Sequence, residues 1–202
     1  MTVTGAWLFA VSLLAPGVAA PEVASLKWGY EACDKKAIEY PYPDDPHDGF
    51  PIGSCPPPAD LALTCGAGGK IAVVDAEAST FESGYMHPPK YAIDEHLSSR
   101  WSSHYSDDQW LTLDLGEVKS FQRVYLVWEL AHASAYTLLT SNDKKKWKVL
   151  RKIRNSDGFV DVVDAKGKGR YLKIQGNKRA KVEGNELYGY SLFDVTICQD
   201  RP

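Results

Sequence analysis

Short runs in which hydrophobic and polar residues alternate dominate the chain from residue 68 onward. A period of two is typical of half-buried β-strands, and turn residues separate the runs. The candidate strands are KIAVVD, QWLTLDLG, FQRVYLVWE, AYTLLTSN, KWKVLRKI, FVDVVD, RYLKIQG and YSLFDVTIC. Helical periodicity and glycine loops of the GxGxxG or GxxxxGK type are missing, so the pattern predicts an antiparallel β-sandwich.

The alternation and the residue types also suggest which large side chains are buried. Trp101 and Trp110 are expected in the core, because large aromatic side chains are usually well buried. Trp128 shares a strand face with Val124 and Leu126, which favours a core position for it as well.

Composition is that of an ordinary globular protein, with 202 residues of which 44% are hydrophobic and 24% charged. A net charge of −3 gives no reason to expect a nucleic-acid partner. Residues 141–181, however, contain 14 Lys and Arg against 4 Asp and no Glu. This basic segment is either a solvated sheet face protected against edge pairing, or a contact for an acidic polysaccharide or an anionic membrane.

The N-terminus has features of an export signal. Residues 5–15 are apolar, and Ala19 and Ala20 offer small residues for cleavage. The apolar run is too short to cross a bilayer, which needs about 20 residues, and a buried strand or helix is the alternative. We therefore expect a protein without a transmembrane segment that is secreted or held at the cell surface. Its parts would be a signal peptide at 1–20, a Pro-rich extension at 21–67 and the sandwich at 68–202.

Four cysteines fit an oxidising compartment, namely Cys33, Cys55, Cys65 and Cys198. They form no CxxC pair, and no HxH or HxxxH spacing is present to complete a zinc site. Four cysteines allow three disulfide pairings, among which spacing alone does not choose. The alternative is four reduced, buried thiols in a cytosolic protein.

Four segments of the chain resemble one known family. Residues 91–116 read YAIDEHLSSRWSSHYSDDQWLTLDLG, and VYLVWE, YTLLTSNDKKKW and RYLKIQGNKRA…YGYSLFDVTI follow in order. Together they resemble the discoidin, or coagulation-factor type C, domain, whose bacterial branch is the family-32 carbohydrate-binding modules. The resemblance spans residues 68–198 and implies an eight-stranded jelly roll of the galactose-binding-domain type.

A disulfide in that family often ties the first strand to the last. Cys65 precedes the sandwich and Cys198 ends its last candidate strand, so the resemblance implies a Cys65–Cys198 bridge. It leaves Cys33 to pair with Cys55 inside the extension.

The resemblance also implies a structural calcium ion, which takes roughly six to eight oxygen ligands. Glu95 stands where the family has glycine, so a left-handed backbone there would be strained, although its carboxylate could instead add a ligand. A metal-free loop is the alternative, with Asp94 accepting hydrogen bonds from the amides of His96 or Leu97. The residues that match the family's calcium ligands are Tyr91, Asp94, His96, Ser99, Phe193 and Asp194.

Within the family, the glucosamine-binding modules of bacterial chitosanases share the RWSSxY, Trp-Glu and YGYSL sequences. An aromatic ring against the sugar's C–H face and charged groups on its hydroxyls are the usual recognition chemistry. Two loops of the presumed site, at 129–136 and 181–187, depart from the family. By this resemblance the ligand residues would be Glu82, Arg100, Tyr105, Trp128, Glu129 and Tyr188.

Structural alternatives exist for most of these residues. Arg100 could pair with Asp107 or Asp108. Ordinary loop or core packing would account for Glu82, Trp128, Glu129 and Tyr188. An acidic pair of Glu82 and Glu129 would suit the ammonium group of an amino sugar.

Catalysis has little support in the sequence. The five histidines lie in predicted loops, and no GxSxG motif accompanies them. We expect a secreted, non-catalytic, lectin-like protein that recognises a glycan through loops at one end of the sandwich. The alternatives are an extracellular assembly or adhesion subunit, or a phospholipid-binding module with loop tips at Phe81, Tyr85 and Met86.

Overall fold

The computed structural model describes residues 63–82, 84, 87–182 and 187–199, and the backbone of Ala24–Leu26. Within these ranges the chain forms eight strands and two short 3-10 turns, at Gly66–Gly68 and Pro89–Ala92. The strands are β1 (Ala24–Leu26), β2 (Asp75–Ala78), β3 (Trp101–Ser102), β4 (Trp110–Trp128), β5 (Ala133–Ser141), β6 (Lys148–Ile153), β7 (Val160–Arg179) and β8 (Ser191–Gln199).

Two long strands, β4 and β7, take part in both layers of the sandwich. The first half of β4 pairs with β2 and the second half of β7, and its second half pairs with β8 and the first half of β7. The first sheet therefore runs β3–β8–β4–β7–β1, and the second runs β2–β4–β7–β5–β6, all antiparallel. The β4–β7 register shifts between Asp114 and Lys119. Gly116 lies there with a φ of +77°, which glycine adopts without strain.

The main core lies between the two sheets. Leu111 and Leu113 from the first half of β4 are fully buried there, as are Val124 and Leu126 from its second half. Trp101 is 1% exposed and belongs to this core, as predicted. Each such side chain contributes roughly 1.5–3 kcal/mol through removal of apolar surface from water.

A second apolar cluster covers the outer face of the first sheet. Tyr125 and Val127 alternate with the core residues of β4 and are nevertheless 6% and 0% exposed. The Tyr125 hydroxyl donates to the Thr64 carbonyl at 2.8 Å, so residues just before the sandwich lie over this face. The other members of the cluster are Leu63, Cys65, Leu97, Val160, Val162, Phe193 and Cys198.

The predicted bridge between Cys65 and Cys198 is confirmed, with the two sulfur atoms 2.04 Å apart. It fastens the covering segment to the last strand. β1 pairs with Val160–Val162 of β7, so the Pro-rich extension contributes a strand that the sequence analysis did not predict. The expected signal peptide, and Cys33 with Cys55, lie outside the described residues.

The predicted all-β, antiparallel jelly-roll sandwich is confirmed, but several strand boundaries were wrong. QWLTLDLG and FQRVYLVWE form one strand, β4, and FVDVVD and RYLKIQG form another, β7. The glycines between these runs bend the strands without ending them. KIAVVD contributes only Asp75 to β2, and Lys70 forms an isolated bridge with Cys198.

Trp110 is also a correction, because it does not lie in the core. Its neighbours Leu111 and Leu113 are directed inward and are 0% exposed, so the alternation of β4 places Trp110 on the outer face of the second sheet. There it is half-buried.

Candidate functional site

Several predicted sugar-binding residues meet where β3 ends and β8 begins. The hydroxyls of Ser102 and Ser191 lie 2.9 Å apart, and Arg100 Nε donates to Ser191 Oγ at 3.0 Å. The Glu82 amide donates to the Ser102 carbonyl at 2.9 Å, and the Glu129 amide donates to the Ser191 carbonyl at 3.0 Å. The fold thus brings together Glu82, Arg100 and Glu129, which are far apart in the sequence.

An aromatic pair stands beside this group. Tyr105 is 56% exposed, and its ring centroid lies 5.6 Å from that of Tyr188 with the planes at 83°. The two loops are joined because Ser103 and Tyr190 exchange backbone and hydroxyl hydrogen bonds of 2.9 and 2.8 Å. Gly189 permits this approach, since a Cβ there would clash with the Ser103 carbonyl oxygen.

Arg179 fixes the positions of both tyrosine-bearing loops. Its backbone amide and Nε donate to Asp107 Oδ1 at 3.0 and 3.1 Å. Its Nη1 donates to the carbonyls of Leu187 and Tyr188 at 3.1 and 3.2 Å. No motif in the sequence marks this role of Arg179, which was expected only as part of the basic segment. The alternative in which Arg100 pairs with Asp107 or Asp108 is wrong, because Asp107 pairs with Arg179 and Arg100 donates to Ser191.

The two titratable groups beside Arg179, Asp107 and Tyr190, have pKa values shifted in opposite directions. Partial burial works to raise the pKa of Asp107, but hydrogen bonds and charge from Arg179 lower it overall. Burial raises the pKa of Tyr190, and the neighbouring Asp107 carboxylate raises it further. Asp107 therefore stays ionised and Tyr190 neutral at physiological pH, and the ion pair between the loops persists.

Two predicted ligand residues need correction. Trp128 is 2% exposed; its Nε1 donates to Asp161 at 2.9 Å and its ring packs on Tyr136, so it belongs to the core and offers no platform to a sugar. Glu129, expected to bind the sugar, is only 8% exposed. Its Oε2 accepts from the Ala131 amide at 2.7 Å, which stabilises the turn after β4.

The predicted calcium residues form a second group, around Asp194. This carboxylate is 3% exposed; its Oδ2 accepts from Thr196 at 2.7 Å, and its Oδ1 is buried without a hydrogen-bond partner. Burial raises the pKa of Asp194, and the negative charges of Glu95 and Asp94 add to the effect. A buried, unpaired carboxylate oxygen near two further carboxylates suits a bound cation.

The loop that carries Asp94 is held by its own hydrogen bonds. Asp94 accepts from the His96 amide at 3.0 Å and from the Ser99 hydroxyl at 2.7 Å, the first of which the metal-free alternative anticipated. Each oxygen keeps a lone pair for a metal. Glu95 has a φ of +64°, so the position does require a left-handed backbone. Its carboxylate lies 3.0 Å from the Lys70 ammonium.

The side chains around Asp194 do not by themselves supply enough ligands for a calcium ion. Among the described residues, no cluster of three or more His, Cys, Asp and Glu side chains is placed to hold a metal. A calcium ion would therefore need backbone oxygens as well, such as the carbonyls of Tyr91, His96 and Phe193. The side chain of Phe193 is itself 1% exposed and packs in the second apolar cluster.

A comparison with known protein families shows to which family the chain belongs. The model of the F5/8 type C domain matches residues 75–189, more than half of the chain. The chain belongs to this family. The site residues from Glu82 to Gly189 fall within the match, whereas Lys70, Tyr190 and the residues of β8 lie just outside it.

Two solved modules of this kind come from a chitosanase/glucanase of Paenibacillus sp. IK-5. Chitosan-binding module 1 is 30% identical, with a TM-score of 0.57, and the match covers 64% of this chain and 98% of the module. Chitosan-binding module 2, solved in complex with chitotriose, is 29% identical, with a TM-score of 0.57, covering 63% of this chain and 98% of the module.

One curated relative matches this chain over a small part of its own length. HylA of Enterococcus faecalis, a polysaccharide lyase 8 family protein, is 29% identical over 116 residues, or 54% of this chain. That match spans 8% of the length of HylA.

The loop tips considered for a phospholipid surface are described only in part. Phe81 is 39% exposed, and Tyr85 and Met86 lie outside the described residues. In the part of the chain that the structure describes, no helix has the length and apolar character needed to cross a membrane.

Proposed function

We propose that this chain is a non-catalytic carbohydrate-binding module of a secreted protein, and that it binds a glycan at the loops around Tyr105 and Tyr188. The observation that carries the proposal is this tyrosine pair, in which Tyr105 is exposed and Tyr188 is half-buried, and which stands beside Arg100 and Glu82. The likeness to two chitosan-binding modules at 29% and 30% identity supports the same ligand class.

The chemistry of the group suits an amino sugar. An exposed tyrosine ring can pack on the C–H face of a pyranose, while Arg100 donates to its hydroxyls. Glu82 is half-buried in the neighbouring loop and would receive an ammonium group. Glu129 is committed to the Ala131 amide and serves to shape the turn, so Glu82 is the better candidate for that contact.

Titration calorimetry with chitotriose tests the proposal. A shallow site with few anchors should bind with a free energy of about −4 to −8 kcal/mol, in the micromolar to millimolar range. Tyr105→Ala should reduce the affinity at least about tenfold, because the exposed ring would be lost. Glu82→Gln should weaken the amino sugar more than its N-acetylated form, which carries no ammonium.

Tyr171→Ala is the matched control, since Tyr171 is a half-buried tyrosine on the outer face of the second sheet. It should bind chitotriose like the wild type. Equal binding by wild type and Tyr105→Ala would show that the tyrosine pair is not the site. If Glu82→Gln no longer binds the charged amino sugar more tightly than its N-acetylated form, the result would support an amino sugar as the ligand.

A calcium ion at Asp194 is a second element of the proposal. A cation that binds only the folded state raises the melting temperature by mass action, so calcium should stabilise the wild type relative to a chelator. Asp194→Asn and Asp94→Asn should abolish that difference. The residues would hold the ion between the Asp94 loop and β8, which is a structural role. Identical melting of the wild type with calcium and with chelator would refute calcium binding at this site.

A further inference from the structure

The outer face of the second sheet carries a group of aromatic and basic residues away from the tyrosine loops. Trp110 and Thr112 of β4 point outward, because Leu111 and Leu113 between them lie in the core. Thr112 is paired in register with Lys173 of β7. Trp147, which immediately precedes β6, reaches the same lysine from the other side. The group therefore spans the sheet from β4 to the β5–β6 hairpin.

Lys173 is held between two indole rings. Its ammonium lies 4.6 Å from the ring centroid of Trp110 and 4.2 Å from that of Trp147. The Trp147 Nε1 donates to the Lys144 carbonyl at 3.0 Å, which fixes that ring. Burial lowers the pKa of Lys173, although the negative charge of Glu77 opposes the shift. The ammonium has therefore lost part of its hydration before any ligand arrives.

The neighbouring cations on this face already have acidic partners. Lys144 lies 3.0 Å from a Glu77 oxygen, and Arg170 donates to both oxygens of Asp114 at 2.9 and 2.8 Å. For Lys173, by contrast, no carboxylate of the described residues lies within salt-bridge distance. A cation–π contact orients the ammonium but leaves its N–H donors without the strong acceptor that a carboxylate would provide.

A further unpaired group lies beside this lysine. The hydroxyl of Thr112, its cross-strand neighbour, is buried and has no hydrogen-bond partner. Thr112 is 1% exposed although it lies on an outer face, so the side chains above it exclude water. A dehydrated ammonium and an unpaired hydroxyl both cost stability in the free protein, which is expected where a surface serves a ligand rather than the fold.

We propose that Trp110, Lys173 and Trp147 form a second glycan site, which binds an acidic residue of an anionic polysaccharide. The acidic group of the sugar would accept from the Lys173 ammonium, and the sugar ring would pack against the exposed part of an indole. The exposed Lys145, Lys146, Lys148 and Lys152 of the same hairpin would attract the polyanion at longer range. This site is distinct from the tyrosine loops and does not depend on their function.

Affinity electrophoresis of the full chain tests the site, in native gels containing polygalacturonate, dextran sulfate or neutral dextran. Polygalacturonate supplies carboxylates and dextran sulfate supplies sulfates, so the two gels distinguish the possible acidic groups. Lys173→Met keeps the aliphatic packing and removes the charge, and it should weaken binding to the preferred polyanion by roughly tenfold. Trp147→Ala should weaken it to a similar extent.

Lys168→Met is the matched control, because Lys168 is an exposed lysine of the same strand that lies opposite Ser120 of β4, outside the Trp110–Lys173–Trp147 group, and undergoes the same loss of charge. It should change the affinity less than about twofold. Tyr105→Ala should leave polyanion binding unchanged, which separates this site from the proposed loop site. Equal losses for Lys173→Met and Lys168→Met would overturn the proposal, since they would indicate diffuse attraction to the basic segment. Full binding by Trp147→Ala, checked for folding by its thermal melt, would also overturn it.

Discussion

The outer faces of the two sheets differ sharply, although the same two strands build both. On the first sheet, Tyr125 and Val127 of β4 are covered by residues around Leu63 and Cys65 and are almost completely buried. On the second sheet, Trp110 of the same strand stays half-buried next to a lysine. One face has become a second core, whereas the other has remained a surface.

The difference shows that covering segments, and not strand periodicity alone, decide which outward residues are buried. Outward positions carry bulky side chains in both sheets. Among the residues that the structure describes, a chain segment is fastened across the first sheet but not the second, through the Cys65–Cys198 bridge and the hydrogen bond from Tyr125 to Thr64. The second sheet covers its outward residues with long, charged side chains, and these can exchange their contacts for those of a ligand.

Removing the bridge should have the largest effect on this contrast. The double variant Cys65→Ser/Cys198→Ser should lose about 2–5 kcal/mol of unfolding free energy, because the cover of the first sheet would no longer be tied to β8. Urea denaturation in a background with Cys33→Ser and Cys55→Ser avoids disulfide exchange. A loss well below 1 kcal/mol would mean that the cover stays in place without the bridge.

Variants of Asp161 test the interior between the two sheets. This fully buried carboxylate accepts hydrogen bonds from Trp128 of β4, Tyr136 of β5 and Ser156, at 2.9, 2.8 and 2.7 Å, and so links the two sheets. Asp161→Ala leaves three buried donors unpaired and should cost roughly 3 kcal/mol or more. Asp161→Asn retains an acceptor and should cost clearly less. Equal losses in the two variants would contradict the role of the hydrogen bonds.

The same residue predicts a pH dependence. Burial raises the pKa of Asp161, against the three hydrogen bonds and the influence of His132, so the folded state binds this proton more readily than the unfolded state. The unfolding free energy should therefore decrease as the pH rises from the ordinary Asp pKa of about 3.9 through the raised value. Urea titrations of wild type and Asp161→Asn across this range should diverge, with the variant lacking that decrease.

A pair of tyrosine variants compares the two faces directly, and the variant on the open face should give the smallest effect. Tyr125→Ala on the covered face should cost roughly 3 kcal/mol, because it removes a buried ring and its hydrogen bond to Thr64. Tyr171→Ala on the open face should cost less than about 1 kcal/mol, since that ring is half-buried under Lys144 and Arg170. Similar losses in urea denaturation would show that the open face is packed as a core.

Local patterns in the sequence were sufficient for the fold class. Alternation identified the strands of the sandwich, and the unbroken apolar run VYLVW was buried on both faces of its sheet, as such runs usually are. Strand parity also placed Trp128 with Val124 and Leu126, correctly. The same alternation places Trp110 on the opposite face of the strand from Leu111. The prediction that Trp110 lies in the core rested instead on the general tendency of tryptophan to be buried, and it was wrong.

The family motifs located the loops of the candidate site but not the contacts inside them. Arg100, Glu82 and Glu129 do converge on Ser102 and Ser191. Which carboxylate stays available could not be predicted, because Glu129 is occupied by an amide of its own turn.

By itself, the sequence determined the alternating strands, the family motifs and the residue types at the loops, since all of these depend on neighbours along the chain. Only the tertiary structure decided that Arg179 joins Asp107 to the Tyr188 loop, and that Lys173 lies between Trp110 and Trp147. These contacts join residues from different strands and loops. They arise because the second half of β7 lies between β4 and β5, and no local pattern records which side chains that strand pairing brings together.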